Sequence, residues 1–146
     1  MIDYNKLLSQ RALSLKPSGI RRFFDFAAEM EEVISLGVGE PDFKTPWSIR
    51  RAGIESLERG RTWYTANAGL MQLRREICNY LERRFQLTYE PKTETLVTVG
   101  GSEAIDLCIR ALVNPGDEVL VVQPSFVCHD PITTLTSGVT VPLETK

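Results

Sequence analysis

Residues 95–106, TLVTVGGSEAID, place two glycines and a hydroxyl side chain where an extended segment turns into a helical one. The N-terminus of a helix carries unpaired amides and a partial positive charge, which together favour an anion. Glycine lets the backbone approach a phosphate closely because no Cβ intervenes. Gly100, Gly101, Ser102 and the amide of Glu103 therefore form a candidate phosphate cradle.

The same turn also has a purely structural interpretation. Ser102 would then cap its own helix, and the two glycines would only make the turn tight. Glu103 fits either interpretation, because its carboxylate suits the helix dipole but repels a phosphate unless it points away. The segment has neither the GK[ST] of a P-loop nor the GxGxxG of a dinucleotide site, so neither site is predicted.

The other reactive residue types show no catalytic or metal-binding spacing. Cys78, Cys108 and Cys128 are an odd set without a CxxC pair, so we predict reduced thiols rather than a zinc site or a disulfide framework. His129 is the only histidine, and no motif connects it with chemistry. We therefore expect it to be structural, and we expect no bound metal.

Composition excludes several classes of function. The 146 residues amount to about one domain, and a net charge of -2 gives no general attraction for nucleic acid or an anionic membrane. No apolar run approaches the ~20 residues of a membrane span, and the N-terminus lacks the apolar core of a secretory signal. We predict a cytoplasmic protein without nucleic-acid or membrane partners.

The elements around these residues alternate between helix and strand. In the first half, glycine and proline positions and the apolar periodicity predict an arm over 5–15, a helix over 20–31, a strand over 33–36 and a loop over 37–43. A helix follows that Thr45 caps, Pro46 begins and Gly60 ends. An amphipathic helix is predicted over 70–85. The second half predicts a strand over 95–99, a helix over 102–113, a turn over 114–117, a strand over 118–122, a helix over 125–137 and a strand over 139–143. This order indicates an α/β fold with right-handed crossovers.

Two of these elements carry further expectations. The helix over 102–113 is apolar nearly all round, so we expect it to pack on more than one side, with Asp106 and Arg110 paired on its exposed edge. The strand over 118–122 is an uninterrupted apolar run, which is typical of a parallel sheet covered on both faces.

Five segments occur in order along the chain: SLGVGEPDFKTP, YTANAGLMQLRREI, VTVGGSEAID, NPGDEVLVVQPSF and SGVTVPL. Together they resemble the N-terminal portion of a class I/II aminotransferase, a pyridoxal-phosphate enzyme of fold type I, in the aspartate, aromatic and acetyl-diaminopimelate branch. The resemblance implies an α/β fold whose three-layer α/β/α large domain is incomplete here. Residues 1–44 would be the N-terminal arm and the start of the small domain, and residues 45–146 the first part of the large pyridoxal-phosphate-binding domain.

The resemblance also implies roles for particular residues. Gly101, Ser102 and Glu103 match the turn that binds the cofactor phosphate, and Phe126 matches the aromatic residue that stacks on the pyridine ring. Without the resemblance, Phe126 reads as a core aromatic at the end of a strand.

Two more positions match the family in the first half of the chain. Tyr64 matches a tyrosine that reaches across a dimer interface to the other subunit's cofactor phosphate. Gly39 matches a residue that lies against the substrate carboxylate, where a side chain would block binding. Taken alone, Tyr64 is a surface-loop aromatic and Gly39 an ordinary turn glycine.

The implied activity moves an amino group between an amino acid and a 2-oxo acid in a homodimer. In this family a lysine holds the cofactor and moves the Cα proton, but none of the five lysines here has the family's serine-x-x-lysine setting: Lys6, Lys16, Lys44, Lys92 and Lys146. We therefore expect a fragment of a longer enzyme that contains no catalytic lysine and is inactive alone. Two alternatives remain open, a non-catalytic binding or assembly module and a pyridoxal-phosphate-dependent lyase or synthase of the same fold.

Overall fold

The computed structural model describes residues 3, 6–16, 19, 23–26, 29–30, 34, 39 and 41–146. Its elements run in the order α1 (Gln10–Ser14), α2 (Trp47–Glu58), α3 (Met71–Phe85), α4 (Gly101–Leu112), β1 (Glu118–Gln123), α5 (His129–Leu135) and β2 (Val139–Glu144). Contacts divide the chain into two compact units, one of residues 1–19 and 98–146 and the other of residues 20–97.

Part of the predicted first half lies outside the described residues. This holds for half of the helix over 20–31, of which residues 23–26 are described as helical and residues 29–30 as non-helical, and for the strand over 33–36 apart from residue 34. It also holds for the loop over 37–43 apart from residues 39 and 41–43. Among the described residues, no helix has the length and apolarity needed to span a bilayer.

A parallel strand pair forms the centre of the unit that contains residues 98–146. Strands β1 and β2 pair in parallel, with Glu118 opposite Val139 and Gln123 opposite Glu144. Helix α5 connects them, and its Ile132 and Thr133 are buried. The strand–helix–strand pattern predicted from the sequence is therefore confirmed, because parallel neighbours require such a crossover.

The predicted burial of this unit is wrong in two places. Val121 on β1 is 6% exposed, but its neighbour Leu120 is 69% exposed, so only one face of the strand is covered. Successive side chains of a strand point to opposite faces, so Val119 and Val121 share the more covered face and Leu120 and Val122 the exposed one. Helix α4 has no buried residue, whereas its all-round apolarity predicted packing on more than one side.

The predicted strand over 95–99 is not a strand. Val97 donates its N–H to the carbonyl of Ala68 at 3.1 Å, but no ladder of such bonds follows within the described part of the chain. Its β-branched residues favour extended backbone, and a strand also needs a neighbour along its length.

Helix α5 begins at His129, four residues later than predicted. A helix from Ser125 would place Pro131 in its interior, where the ring clashes with the preceding turn. Starting at His129 puts Pro131 in the first turn, which tolerates proline.

Helix α2 confirms one predicted boundary and corrects the other. It begins at Trp47, with Pro46 as an extended cap residue and no side-chain cap, so Thr45 does not have the predicted capping role. Gly60 ends it as expected, at φ +65. There Gly60 donates its N–H to Leu57 and Arg61 donates its N–H to Ser56, which satisfies two carbonyls of the last turn.

Helix α3 confirms the predicted amphipathic helix, but its buried residues are Arg74 and Cys78. Arg74 Nη2 donates to the carbonyl of Lys92 at 2.6 Å, and Cys78 Sγ lies 3.1 Å from Thr95 Oγ1. These two contacts attach the segment after the helix to its covered face.

We expect Arg74→Met to lower the free energy of unfolding by about 1 kcal/mol. The hydrogen bond from the charged guanidinium to Lys92 is lost, and a bond of this kind contributes about 1.5–3 kcal/mol. The loss stays small because methionine keeps the aliphatic packing and removes the buried Nε, which has no partner among the described residues. Urea denaturation of this variant and of Arg75→Met, an exposed neighbour on the same helix, measures the difference. Equal losses would contradict the role of Arg74.

Candidate functional site

The predicted phosphate cradle lies at the start of α4. Gly100, at φ 88 and ψ 169, adopts a conformation that is essentially restricted to glycine. The amides of Gly101, Ser102 and Glu103 follow, and none of them donates to an acceptor within the described residues. All three residues are exposed, so three N–H groups at the positive end of the helix dipole face solvent.

Two side chains hold the backbone of this turn. The Glu103 carboxylate accepts the Val99 N–H, and Thr98 Oγ1 donates to the Gly100 carbonyl at 3.0 Å. The sequence signal for the first contact is an acid at the third helical position, which in a capping box accepts the N–H of the N-cap residue. Here the cap residue is Gly100, and Glu103 accepts the N–H of Val99, one residue earlier. Ser102 makes no side-chain cap, so the structural alternative in which it caps its own helix is not observed.

One turn further along α4, the predicted ion pair is present. Arg110 Nε lies 2.8 Å from Asp106 Oδ2. The hydrogen bond that Arg110 donates to Asp106 and the negative charge of that carboxylate raise the pKa of Arg110. Glu103 is the acidic residue in the first turn of the helix.

Phe126 lies in the loop that follows β1. Its side chain is 61% exposed, so it is not the core aromatic of the structural alternative. Ser125 Oγ lies 3.2 Å from His129 Nδ1, a contact at i, i+4 spacing that the sequence analysis missed. Both side chains border a groove of about 250 Å³ beside β1 and Ile109.

Tyr64 and Gly39 belong to the other unit, residues 20–97. The Tyr64 side chain is fully exposed, and a Cβ added at Gly39 would meet no atom of the described residues within 4 Å. The loop around Tyr64 borders a groove of about 580 Å³, lined by Ser56, Arg61, Trp63, Thr65, Leu70 and Gln72. The roles of Tyr64 and Gly39 in cofactor and substrate binding stay predictions.

Acidic, histidine and cysteine side chains form no group of three or more suited to a metal ion in the described part of the chain. The three thiols are free, with Cys78 buried and Cys108 exposed.

Comparison with known proteins gives a match over most of the chain. The profile of the family described as aminotransferase class I and II matches residues 31–146. A putative aminotransferase of Bacillus subtilis is 57% identical over 94% of this chain and 36% of its own length. A probable N-acetyl-LL-diaminopimelate aminotransferase of the same organism is 37% identical over 88% of this chain and 33% of its own length.

Solved structures resemble the chain in the same way. The aspartate aminotransferase of Thermus thermophilus, solved with maleate, superposes with a TM-score of 0.87 at 35% identity, over 95% of this chain and 37% of that one. The chain spans about a third of the length of the curated relatives it matches.

Proposed function

Because this chain belongs to the class I and II aminotransferase family, we propose that it forms the cofactor-phosphate site of a pyridoxal-phosphate-dependent aminotransferase. Its fold is the N-terminal part of fold type I, as in the solved aspartate aminotransferase. In the proposed activity, the protein to which the chain belongs moves an amino group between an amino acid and a 2-oxo acid as a homodimer. We assign residues 1–44 to the arm and the start of the small domain, and residues 45–146 to the first part of the large domain.

The unpaired amides at the start of α4 are the observation that supports this proposal best. Gly101, Ser102 and Glu103 offer three N–H donors, and the Ser102 hydroxyl adds a fourth. A Cβ added at Gly101 would meet no atom within 4 Å among the residues that the structure describes, which leaves room for a ligand beside the glycine. A doubly charged phosphate suits such a set of donors at a helix N-terminus.

Each remaining residue of the proposed site has a distinct task. Phe126 presents an exposed ring face for stacking on a pyridine ring, and Tyr64 supplies a hydroxyl to the phosphate of the partner subunit. Gly39 leaves room for a substrate carboxylate because it has no side chain. When bound, pyridoxal phosphate supplies an electron sink for the bond that breaks at the substrate Cα.

We assign no residue of this chain to the transfer of the substrate proton. None of the five lysines lies in the serine-x-x-lysine setting of the family. We therefore expect the 146 residues alone to show no transaminase activity. Turnover of an amino acid by the purified chain, with a 2-oxo acid detected as product, would contradict this expectation.

The complete protein provides the direct test of the function. Purified after expression, it should show the visible absorbance band of bound pyridoxal phosphate, and candidate amino acids should shift that band selectively. A shift without transfer of the amino group to a 2-oxo acid acceptor would favour a lyase or synthase of the same fold. The absence of any cofactor band after incubation with pyridoxal phosphate would overturn the proposal.

An assembly module is the second candidate function, supported by the uncovered face of β1. Leu120 is 69% and Val122 48% exposed on that face, and apolar surface of this kind is typical of an interface with other protein. Size-exclusion chromatography with light scattering tests this candidate. A stable monomer of the chain would count against it, and a defined assembly without cofactor affinity would favour it over catalysis.

We expect Phe126→Ala to weaken the affinity for pyridoxal phosphate roughly fivefold, because the stacking contribution of an aromatic pair is lost. Phe126→Trp should bind at least as tightly as wild type, since indole offers a larger ring face. Titration of the cofactor-free protein gives both dissociation constants. An alanine variant with wild-type affinity would show that Phe126 does not stack on the cofactor.

A further inference from the structure

The first turn of α4 contains an acidic side chain beside a proposed anion site. A carboxylate next to three unpaired amides can act on a bound anion in two opposite ways. It can bind those amides itself and so compete with a phosphate, or it can be held elsewhere. Glutamate at the third helical position is long enough for both, because its side chain reaches back over the first turn.

The structure shows the second arrangement. The Glu103 carboxylate accepts the N–H of Val99, which precedes the glycine pair, and not an amide of the cradle. Thr98 holds the other side of the turn through the Gly100 carbonyl at 3.0 Å. The glycine pair is therefore fixed by side chains before and after it, while the amides of the cradle stay free.

We propose that Glu103 is a positioning residue for the phosphate: its carboxylate fixes the Val99 amide, which keeps the turn in shape and keeps the carboxylate away from the free N–H groups. This inference rests on the proposed function, since it takes the cradle as the cofactor-phosphate site. It assigns a role to the Glu103 side chain that is separate from the role of its backbone amide.

Comparison of Glu103→Gln with Glu103→Ala distinguishes the effect of the hydrogen bond to Val99 from the effect of the negative charge. Both substitutions remove the negative charge near the phosphate, but only Glu103→Gln keeps an oxygen that can accept the Val99 N–H. We expect Glu103→Gln to bind pyridoxal phosphate at least as tightly as wild type. Glu103→Ala should bind roughly tenfold more weakly than the glutamine variant, which corresponds to one net hydrogen bond.

The experiment titrates the cofactor-free complete protein with pyridoxal phosphate and with pyridoxal, which lacks the phosphate. The difference between the two variants should be confined to pyridoxal phosphate, whereas a general loss of structure would weaken both ligands. Asp106→Ala serves as the control, because this acid lies one turn further along α4 and pairs with Arg110. It should bind both ligands as the wild type does.

Hydrogen exchange of the Val99 amide gives a readout without cofactor. It should accelerate in Glu103→Ala and stay slow in Glu103→Gln. Equal affinities of the two variants for pyridoxal phosphate, or equal exchange at Val99, would overturn the role of Glu103. A wild-type protein that binds neither ligand would instead contradict the proposed function, and the exchange at Val99 would still report on the turn.

Discussion

Gly100→Ala is expected to weaken the binding of pyridoxal phosphate by roughly ten- to a hundredfold. Gly100 lies at φ 88 and ψ 169, and a residue with a Cβ is strained there by about 1–3 kcal/mol. An alanine relieves this strain by rotating the peptide units on either side. The amide of Gly101 then changes its direction relative to the amides of Ser102 and Glu103.

Titration of the cofactor-free protein measures this effect, and a second glycine provides the control. Gly53 lies inside α2, and an added Cβ would meet no atom within 4 Å. Gly53→Ala should leave the affinity for pyridoxal phosphate unchanged. Wild-type affinity in Gly100→Ala would show that the phosphate does not depend on the shape of this turn.

Local patterns predicted the elements that depend on local interactions. The amphipathic repeat gave α3, Gly60 gave the end of α2, and the i, i+4 spacing gave the pair of Asp106 and Arg110. Strands β1 and β2 were also predicted, because β-branched residues between turn signals leave few alternatives.

Elements that depend on distant partners were predicted less well. The segment over 95–99 has strand-like residues but no ladder among the described residues. Leu120 and Leu112 belong to apolar runs that predict burial, yet they are 69% and 78% exposed. Periodicity shows which faces of a helix or strand are apolar. It does not show which other elements cover those faces, because these elements are distant in the sequence.

The residues of the candidate site show the same difference between local and distant interactions. Gly101, Ser102 and Glu103 are consecutive, so one motif was enough to place them on the first turn of α4. The contact between Glu103 and Val99 depends on a side-chain rotamer, which a spacing rule allows without requiring. Tyr64 and Gly39 come from another unit of the chain, and their roles stay predictions because no local pattern relates them to the cradle.

Gly69→Ala is expected to lower the free energy of unfolding by about 2–5 kcal/mol. An added Cβ at Gly69 would lie 2.7 Å from Val97 Cβ and 2.8 Å from Val97 Cγ2. Rotation of the valine side chain cannot move its Cβ, so the two backbone segments must separate. Overpacking of this kind costs about 1–3 kcal/mol, and the φ of +94 at Gly69 adds about 1–2 kcal/mol for a residue with a Cβ.

Separation of the Gly69 and Val97 backbone segments also breaks a hydrogen bond, because the carbonyl of Ala68 accepts the Val97 N–H at 3.1 Å. Chemical denaturation measures the loss, and faster hydrogen exchange at Val97 should accompany it. Gly53→Ala is the matched control in the same unit, and it should instead raise stability by about 0.5–1 kcal/mol, since alanine is the better helix former. Equal stabilities of wild type and Gly69→Ala would mean that Gly69 is not packed against Val97 in solution.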